Sequence, residues 1–458
     1  MPASLSTDVV CLGESMVAFV PTRPGPLAEV PAFTRSAGGA ESNVACALAR
    51  LGHRVRWISR LGTDGFGDHV LAAVAEAGVD VHGVRRDPDR PTGIYFRTAG
   101  ERSWGGPDPA PDGAPPGEVV YYRAGSAASA MSPRTVARAD AYGGRLLHLT
   151  GITPALSDGC RELVRELTAR RPGRPWVSFD VNYRAALWRS PGPTDPEVLL
   201  ELARGCDLVF VGEDEASAAW GLRGPDAVRS ALPEPGVLVV KRGAAGAVAY
   251  VRPGAEAWPA TAVPAPGGPA DDSPARGGPE YGGPGSGPSG AAAPGPGGAT
   301  GAGPGPSGTP GTRPGTAPGG GPEPSGAPGP GPSGAAGRGE GGPATAAPDA
   351  RYAEPAPAVD VVAHVGAGDA FAAGFLSATL RGLPVAHRLR HGHLLAAAAL
   401  TDPGDLAAPP GRALADRLVA LAPDAWGRLR LGPGWTRAEP GTGTDPEAGS
   451  VTTEVPAP

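Results

Sequence analysis

The sequence predicts an α/β fold, with a mostly parallel β-sheet as the middle of three layers and helices on both faces. From residue 145 onward, short apolar runs typical of buried strands alternate with longer runs typical of helices. Two glycine turns, near residues 38 and 366, lead directly into helices. Polar residues follow several predicted strands, at the edge where open α/β sheets bind their ligands. Alternation of this kind makes the strands parallel, because each helix returns the chain to the same edge.

The N-terminal part of the chain contains two strand–helix units. The first helix is rich in alanine, and both helices end at glycines, which are common just past a helix C-terminus. Asn43 lies in the first turn of the first helix, where its side chain either caps the helix or binds a polar ligand. The predicted strands are residues 9–13 and 55–59, and the helices follow the turn at 38–39 and span 70–77.

Residues 91–126 interrupt this alternation. Residues 92–97 and 119–123 are β-type runs, and a loop rich in Gly, Pro and Asp separates them without a helix. We expect an antiparallel pair outside the main sheet, such as a flap over a site. Because side chains alternate along a strand, Tyr121 and Arg123 share one face, which is either solvated surface or a contact with a polar ligand. Arginine suits a carboxylate, since its fork matches two oxygens.

The remaining strands place polar residues at one edge of the sheet. Carboxyl ends of parallel strands meet at the same edge, so these residues predict a ligand site there. The predicted strands are residues 146–149, 176–180, 208–211 and 237–241, with helices at 161–170 and from about 213. The polar residues that follow the strands are Asp180, Asn182, Arg184, Glu213, Glu215 and Lys241.

The glycine turn at residues 366–368 has the pattern of an anion site. Backbone N–H groups of Gly366, Ala367 and Gly368 would lie at a helix N-terminus, where they and the helix dipole favour phosphate. Asp369 lies in the first turn of the helix that follows. A carboxylate beside an anion site suits phosphoryl transfer, because it can accept the proton of the attacking alcohol. Alternatively, Asp369 only compensates the helix dipole.

Composition predicts an unstructured segment inside the chain. The 458 residues include 73 glycines and 57 prolines, and residues 264–349 are nearly all Gly, Pro, Ala and Ser. This segment cannot bury enough apolar surface to offset chain entropy, so we expect a disordered insert. A disordered tail is expected at 433–458. The rest is one predicted domain, residues 1–263 and 350–432, whose flap comprises about 14–37 and 91–126.

Charge and cysteine usage exclude several classes of protein. A net charge of −6 gives no polybasic surface for nucleic acid or a membrane. No apolar run approaches the roughly 20 residues of a membrane helix, and the N-terminus lacks the features of a signal peptide. The four cysteines show no metal-type spacing and predict reduced, mostly buried thiols in a cytoplasmic protein.

Residues 38–52 and 366–375 resemble the two signatures of the PfkB, or ribokinase-like, family of sugar kinases. They occur in the family's order, with the expected β/α units between them. The resemblance implies a ribokinase-like three-layer fold with a small β flap, and an ATP-dependent carbohydrate kinase. Residues 121–130, 148–157 and 180–188 are most similar to the 2-keto-3-deoxygluconate kinases. This similarity implies phosphorylation of the 6-hydroxyl of an acidic sugar by ATP with Mg²⁺.

The same resemblance implies a role for each matching residue. Asp369 would be the base, and Gly366, Ala367 and Gly368 would form the anion hole. The residues implied on the sugar side are Gly38, Gly39, Asn43, Tyr95, Tyr121, Arg123 and Arg184. Those implied on the ATP side are Asn182, Glu215, Lys241, Gly243 and Gly246, with Glu215 acting on the metal through water. Arg123 and Arg184 favour an acid by themselves, because a neutral sugar would leave their charges unpaired under a closed flap.

Two positions depart from the family pattern. Ala363 and His364 replace an Asp-Thr-type pair that helps many relatives to bind a monovalent cation, which argues against potassium activation. Gly212 replaces the asparagine of an Asn-x-x-Glu motif that ends here at Glu215, which weakens the expected ordering of magnesium-bound water.

Two alternatives stay open at this point. One is the same chemistry on another sugar, such as fructose. The other is a sugar-binding or regulatory relative that has lost catalysis. Flaps of this family often pair between subunits, so the resemblance also allows a homodimer through the flap.

Overall fold

The computed structural model describes residues 7–23, 25–98, 119–188, 195–255, 347–402, 404 and 406–437. All of them belong to one unit of the chain. Almost all of the insert expected at 264–349, and most of the tail expected at 433–458, lie outside the described residues. Both therefore stay predictions, as do the domain boundaries.

The elements within the described residues follow the predicted alternation. In chain order the strands are β1 (Thr7–Leu12), β2 (Met16–Pro21), β3 (Phe33–Gly38), β4 (Val55–Gly62), β5 (Asp80–Asp87), β6 (Ile94–Arg97), β7 (Val119–Tyr122), β8 (Gly144–Thr150), β9 (Trp176–Asp180), β10 (Leu208–Gly212), β11 (Val237–Lys241), β12 (Ala247–Val251), β13 (Ala350–Glu354), β14 (Ala358–Val359) and β15 (Arg430–Leu431). The helices are α1 (Ala40–Arg50), α2 (Gly65–Glu76), α3 (Arg138–Ala141), α4 (Asp158–Thr168), α5 (Ala185–Trp188), α6 (Glu197–Gly205), α7 (Glu213–Trp220), α8 (Pro225–Ala231), α9 (Ala367–Leu380), α10 (Val385–Leu400), α11 (Arg412–Val419) and α12 (Pro423–Gly427). None of the described helices has the length and apolar character needed to cross a bilayer.

The main sheet has nine strands in the order β13-β12-β11-β10-β9-β8-β1-β4-β5. Neighbours from β11 to β5 pair in parallel, and β12 is antiparallel to both of its neighbours. The predicted α/β class with a mostly parallel sheet is thereby confirmed. The chain runs outward from β1 through β4 to β5, and outward on the other side from β8, so the order reverses between β1 and β8. Open α/β sheets bind their ligands at such a point.

Alternate residues of β1 enter two separate cores, one on each face of the sheet. Val9 and Cys11 belong to a core that contains residues of α1, α2, α9 and α10. Val10 and Leu12 belong to a second core with residues of α4, α6, α7 and α8. Strand β10 is buried along its whole length, as expected for a parallel strand covered on both faces. The three-layer arrangement follows from this apolar pattern.

Helix α9 is fixed against the sheet by aromatic contacts. The ring of Phe210 in β10 packs edge-to-face on Phe371 and Phe375, with centroids 6.4 and 5.4 Å apart. Edge-to-face pairs add roughly 0.5–1.5 kcal/mol each to the burial of the rings. This packing holds the N-terminus of α9 at the ligand-binding edge.

The flap is a four-stranded sheet in the order β3-β2-β6-β7. Its β6–β7 pair is antiparallel, as predicted. Phe19 stacks on Phe96 at 4.8 Å and meets Phe66 of α2 at 5.7 Å, so aromatic contacts tie the flap to the main domain. On the inward face, the rings of Tyr95 and Tyr121 lie 5.5 Å apart.

Candidate active site

A cavity of about 720 Å³ lies at the carboxyl edge of the sheet, beneath the flap. It brings together residues from both glycine turns, from the flap and from the loop after β9. All seven residues predicted on the sugar side line it, together with Asn182, Gly366 and Asp369. The sequence prediction had placed Asn182 on the ATP side, whereas the structure gives it to the same cavity as the sugar-side residues.

Asp369 is a buried carboxylate in the first turn of α9. Its Oδ2 accepts a hydrogen bond from Asn43 Nδ2 (3.0 Å), and its Oδ1 accepts one from Asn182 Nδ2 (3.2 Å). Burial raises the pKa of Asp369 to about 6, because loss of water disfavours the charged carboxylate more than the hydrogen bond from Asn43 favours it. A carboxylate with this pKa is largely ionised at neutral pH and still basic enough to accept a proton.

The turn before α9 exposes backbone donors beside this carboxylate. Gly366 is left-handed, with φ +77°, a conformation that residues with a Cβ rarely adopt. The helix starts at Ala367, so the first N–H groups have no partner within the helix. A Cβ on Gly368 would lie 3.5 Å from Lys241 Nζ, so a side chain there would enter the space between the turn and this cation. Glycine at this position leaves that space open to an anion.

Lys241 is held in place by Asp180. Lys241 follows the buried part of β11, and its Nζ donates to both carboxylate oxygens of Asp180 at 2.9 and 3.0 Å. Burial by itself would lower the pKa of Lys241, but the charges of Asp180 and Glu215 outweigh it and raise that pKa. The ammonium group therefore stays charged, next to the anion turn.

The first glycine turn allows close backbone approach to the flap. A Cβ on Gly39 would collide with the carbonyl oxygen of Glu14, and one on Gly38 would lie 2.6 Å from the hydroxyl of Tyr95. Gly39 therefore requires glycine, because the backbone of Glu14 cannot move aside as the end of the Tyr95 side chain can. This close packing brings α1 and its Asn43 up to Asp369.

Arg123 already has a carboxylate partner within the protein. Its guanidinium forms an ion pair with the buried Glu14, and Ser126 Oγ donates to the other oxygen of Glu14 at 2.6 Å. The guanidinium also lies over the ring of Tyr121, 5.6 Å from its centroid. A neutral sugar would therefore not leave Arg123 without a counter-charge, contrary to the sequence-based expectation. The physical reason is that Glu14, 109 residues away in sequence, supplies the charge.

Arg184 lines the same cavity and acts on Asp369 through its charge. It lowers the pKa of Asp369, against the effect of burial. The carboxylate of Asp180 acts in the opposite direction on that pKa. The ionisation of Asp369 thus depends on charges from β9 and from the loop that follows it.

The residues predicted on the ATP side divide into two groups. Asn182 lines the large cavity, whereas Lys241, Glu215, Gly243 and Gly246 do not; of these four, Lys241 lies beside the turn before α9. Gly243 and Gly246 have positive φ in the turn after β11, and a Cβ on Gly246 would collide with the carbonyl oxygen of Glu354. Glu215 Oε2 accepts a hydrogen bond from Gly212 N at 3.1 Å, which caps α7.

Acidic residues at the start of α7 bear on metal binding. Glu213 pairs with Arg242 at 2.9 Å, and Asp214 accepts from the backbone N–H of Glu215 at 3.0 Å. Within the described ranges, no group of three or more His, Cys, Asp or Glu could hold a metal directly. This donor set fits a contact through water better than direct ligation.

Sequence reasoning missed Glu41, which is fully buried in the first turn of α1. Its Oε1 accepts hydrogen bonds from Thr150 and Thr153, each at 2.8 Å. Burial raises the pKa of Glu41 to about 7, against the effect of these two bonds. The sequence did contain a signal for Glu41, which lies between a glycine turn and an apolar helix. A charged residue at such a position needs a polar partner if it is buried.

Comparisons with known proteins agree with this geometry. The model of the "pfkB family carbohydrate kinase" matches residues 6–266 and 338–410. The 2-dehydro-3-deoxygluconokinase of Thermoproteus tenax is 34% identical over 251 residues, which are 54% of this chain and 73% of the relative. The enzyme of the same name from Bacillus subtilis (strain 168) is 34% identical over 248 residues, 53% of this chain and 72% of the relative.

The fold comparison gives the same result. The PfkB protein from Polaromonas sp. JS666, known from a crystal structure, is 28% identical in sequence to this chain. The two structures superpose with a TM-score of 0.58, over 90% of this chain and 99% of the Polaromonas chain. The family and the enzyme class predicted from the two signatures are confirmed. On the match of the family model to most of its length, the chain belongs to the pfkB family of carbohydrate kinases.

Proposed function

We propose that the protein transfers the γ-phosphoryl group of ATP to the 6-hydroxyl of 2-keto-3-deoxygluconate. The observation that carries this proposal is the buried Asp369, held by Asn43 and Asn182 at the N-terminus of α9, in a cavity shared with Arg184. This arrangement places a carboxylate beside the N–H groups of a helix N-terminus, which suits a base next to an anion site.

In the proposed step, the carboxylate of Asp369 accepts the proton of the 6-hydroxyl. The hydroxyl oxygen forms a bond to the γ-phosphorus, and the bond from that phosphorus to the bridging oxygen breaks. ADP leaves with the electron pair of the broken bond. A positioned base of this type contributes roughly 10²–10⁴-fold to the rate.

The turn and Lys241 act on the charge of the transferred group. The backbone N–H groups of Gly366, Ala367 and Gly368 would donate to its oxygens, and Lys241, fixed by Asp180, would lie on the side of the phosphates. Mg²⁺ bound to ATP would supply further charge neutralisation, and Glu215 would contact its water shell. Ala363 offers no carboxylate to a potassium ion, so we expect no potassium dependence.

Two findings favour the acidic sugar. Relatives from Thermoproteus tenax and Bacillus subtilis named 2-dehydro-3-deoxygluconokinase are each 34% identical to this chain. The cavity is also lined by Arg184, from the loop after β9. Arginine is well suited to a carboxylate because it offers paired donors in one plane. A homodimer through the flap stays a further prediction.

A neutral ketose such as fructose is the second candidate. The ion pair between Arg123 and Glu14 favours it, because that pair carries no net charge for an acid to neutralise. The third candidate is a sugar-binding protein of this family that does not catalyse phosphoryl transfer.

The test is the rate of ADP release with Mg-ATP and 2-keto-3-deoxygluconate, fructose, ribose or no sugar. Turnover with the acid alone is expected. Turnover with fructose alone would show that the substrate is fructose and that the kinase activity is assigned correctly. No turnover with any of these sugars would contradict the proposal. The Asp369→Asn variant is the control, and it should lose turnover on every sugar that the wild type accepts.

A further inference from the structure

Arg161 is an arginine in the cavity that no motif pointed to. It lies near the start of α4, and its side chain is only 10% exposed. Helical spacing puts it on the buried face of α4 with Val164 and Thr168, the face that packs toward the sheet. An arginine on a buried face is rare unless it is paired, so its surroundings need an explanation.

The pairing of Arg161 within the described residues is incomplete. Its Nη1 donates to Asp158 Oδ1 at 2.9 Å, one turn earlier on the same helix. The side chain of Asp158 is 86% exposed, so solvent screens its charge. The Nε group of Arg161 is buried and has no hydrogen-bond partner in the described part of the chain. A buried donor without a partner is costly, so the guanidinium of Arg161 is poorly compensated by its own protein surroundings.

Arg123 differs from Arg161 in its counter-charge. Its partner Glu14 is buried, with a side chain only 1% exposed, so that pair is closed to solvent and neutral. The two arginines belong to connected parts of the cavity wall. Glu14 also binds Ser126, and Cys160, next to Arg161, donates from Sγ to the carbonyl of Ala128 at 3.4 Å. Thus the turn after the flap packs on the start of α4.

We propose that Arg161 is a specificity-determining residue that binds the carboxylate of the sugar acid. Its guanidinium lines the cavity with the solvent-exposed Asp158 as its counter-charge, and so supplies the positive potential that the Arg123–Glu14 pair lacks. An incoming carboxylate would accept from this guanidinium where it faces the cavity. This inference rests on the proposed function, since it names the residue that would recognise the acid.

The experiment compares 2-keto-3-deoxygluconate with 3-deoxyfructose, which carries a neutral CH₂OH in place of the carboxylate. Steady-state kcat and KM are measured for the wild-type full-length chain and for Arg161→Met. We expect KM for the acid to rise about 10- to 100-fold in the variant with kcat little changed, because a charge-assisted bond made equally in ground and transition states is lost. KM for 3-deoxyfructose should change less than about twofold.

The matched control is Arg165→Met, on the same helix. Arg165 is half-exposed, pairs with Glu201 at 2.7 Å and does not line the cavity. Its removal should leave both KM values within about twofold of the wild type. Arg161→Lys keeps the charge and most of the stem, and it should show a smaller rise in KM for the acid. If Arg161→Met does not fold, the KM of Arg161→Lys for the acid tests the role of Arg161 instead.

Each outcome bears on a different statement. An unchanged KM for the acid in both Arg161 variants, or an equal loss on both substrates, would overturn the role of Arg161 while leaving the proposed function intact. A wild type that phosphorylates 3-deoxyfructose and not the acid would overturn both. A rise in KM confined to the acid supports the inference.

Discussion

The hydrogen bond from Asn43 to Asp369 makes the pH dependence of the enzyme predictable. In the wild type the pKa of Asp369 is about 6, so kcat/KM should fall as the pH drops through 6 and the base becomes protonated. The bond from Asn43 Nδ2, 3.0 Å long, stabilises the ionised form. Asn43→Ala should therefore raise the pKa of Asp369 and move the acid limb of the profile to higher pH.

The size of the shift follows from the strength of this bond. Hydrogen bonds to charged groups contribute roughly 1.5–3 kcal/mol, and one pKa unit corresponds to about 1.4 kcal/mol. Asn182 remains as a second donor to Asp369, and water can replace the lost amide, so we expect the lower end, about one unit. At pH 7 about nine-tenths of the wild type would be ionised, against about half of the variant.

The assay is kcat/KM for the sugar from pH 5 to 9, by coupled detection of ADP. Because kcat/KM reports the free enzyme, its acid limb gives the pKa of the unliganded base. Tyr95→Phe is the control, since Tyr95 lines the cavity whereas Asn43 and Asn182 donate to the two oxygens of Asp369. It should lower kcat/KM without moving the limb. An Asn43→Ala profile that is lower but has its limb at the wild-type pH would refute Asp369 as the titrating base.

Three further substitutions test the site. Asp369→Asn should lower kcat by roughly 10²–10⁴-fold. The pKa of Asp369 in the folded state, about 6, lies above the ordinary 3.8, so the stability that this group contributes is lost as the pH rises through 6. The Tm of the variant relative to the wild type should therefore be higher at pH 8 than at pH 4. Gly39→Ala should cost about 1–3 kcal/mol in urea unfolding, because its Cβ would collide with the backbone of Glu14. Glu14→Gln should cost about 3–5 kcal/mol by leaving Arg123 buried without its counter-charge, and unchanged urea unfolding would show that the pair is not needed.

Local patterns predicted most of the fold, and the resemblance to the family predicted most of the cavity wall. Buried parallel strands such as β10 and β11 are continuous apolar runs, and these are visible without any knowledge of their neighbours. Glycine turns at strand ends mark the ligand edge, because the geometry of parallel sheets brings all carboxyl ends together. The resemblance to the family assigned residues as distant as Gly39 and Asp369 to one site, in agreement with this geometry.

The pairing of side chains was harder to predict from the sequence, because it depends on which residues become neighbours in the folded structure. Nothing in the local sequence indicates that Arg123 pairs with Glu14, or that Glu215 caps its own helix. The two outer strands β12 and β13 were also missed. They pair with each other at Val251 and Ala350, so the chain leaves and re-enters the sheet at adjacent points. Such a pairing across a long intervening segment has no local signature, although its closure entropy grows only slowly with length.

The two family signatures act as one unit in this fold. Burial of Asp369 would exclude water from phosphoryl transfer, but the same burial raises its pKa and would protonate it if nothing opposed the shift. Asn43, 326 residues away in sequence, supplies the opposing hydrogen bond, and Arg184 and Lys241 supply opposing charge. The first signature thus delivers one of the donors that keep the carboxylate of the second signature ionised near neutral pH. This coupling explains, in physical terms, why the glycine turn of α1 must pack so closely on the backbone of Glu14 that Gly39 leaves no room for a Cβ.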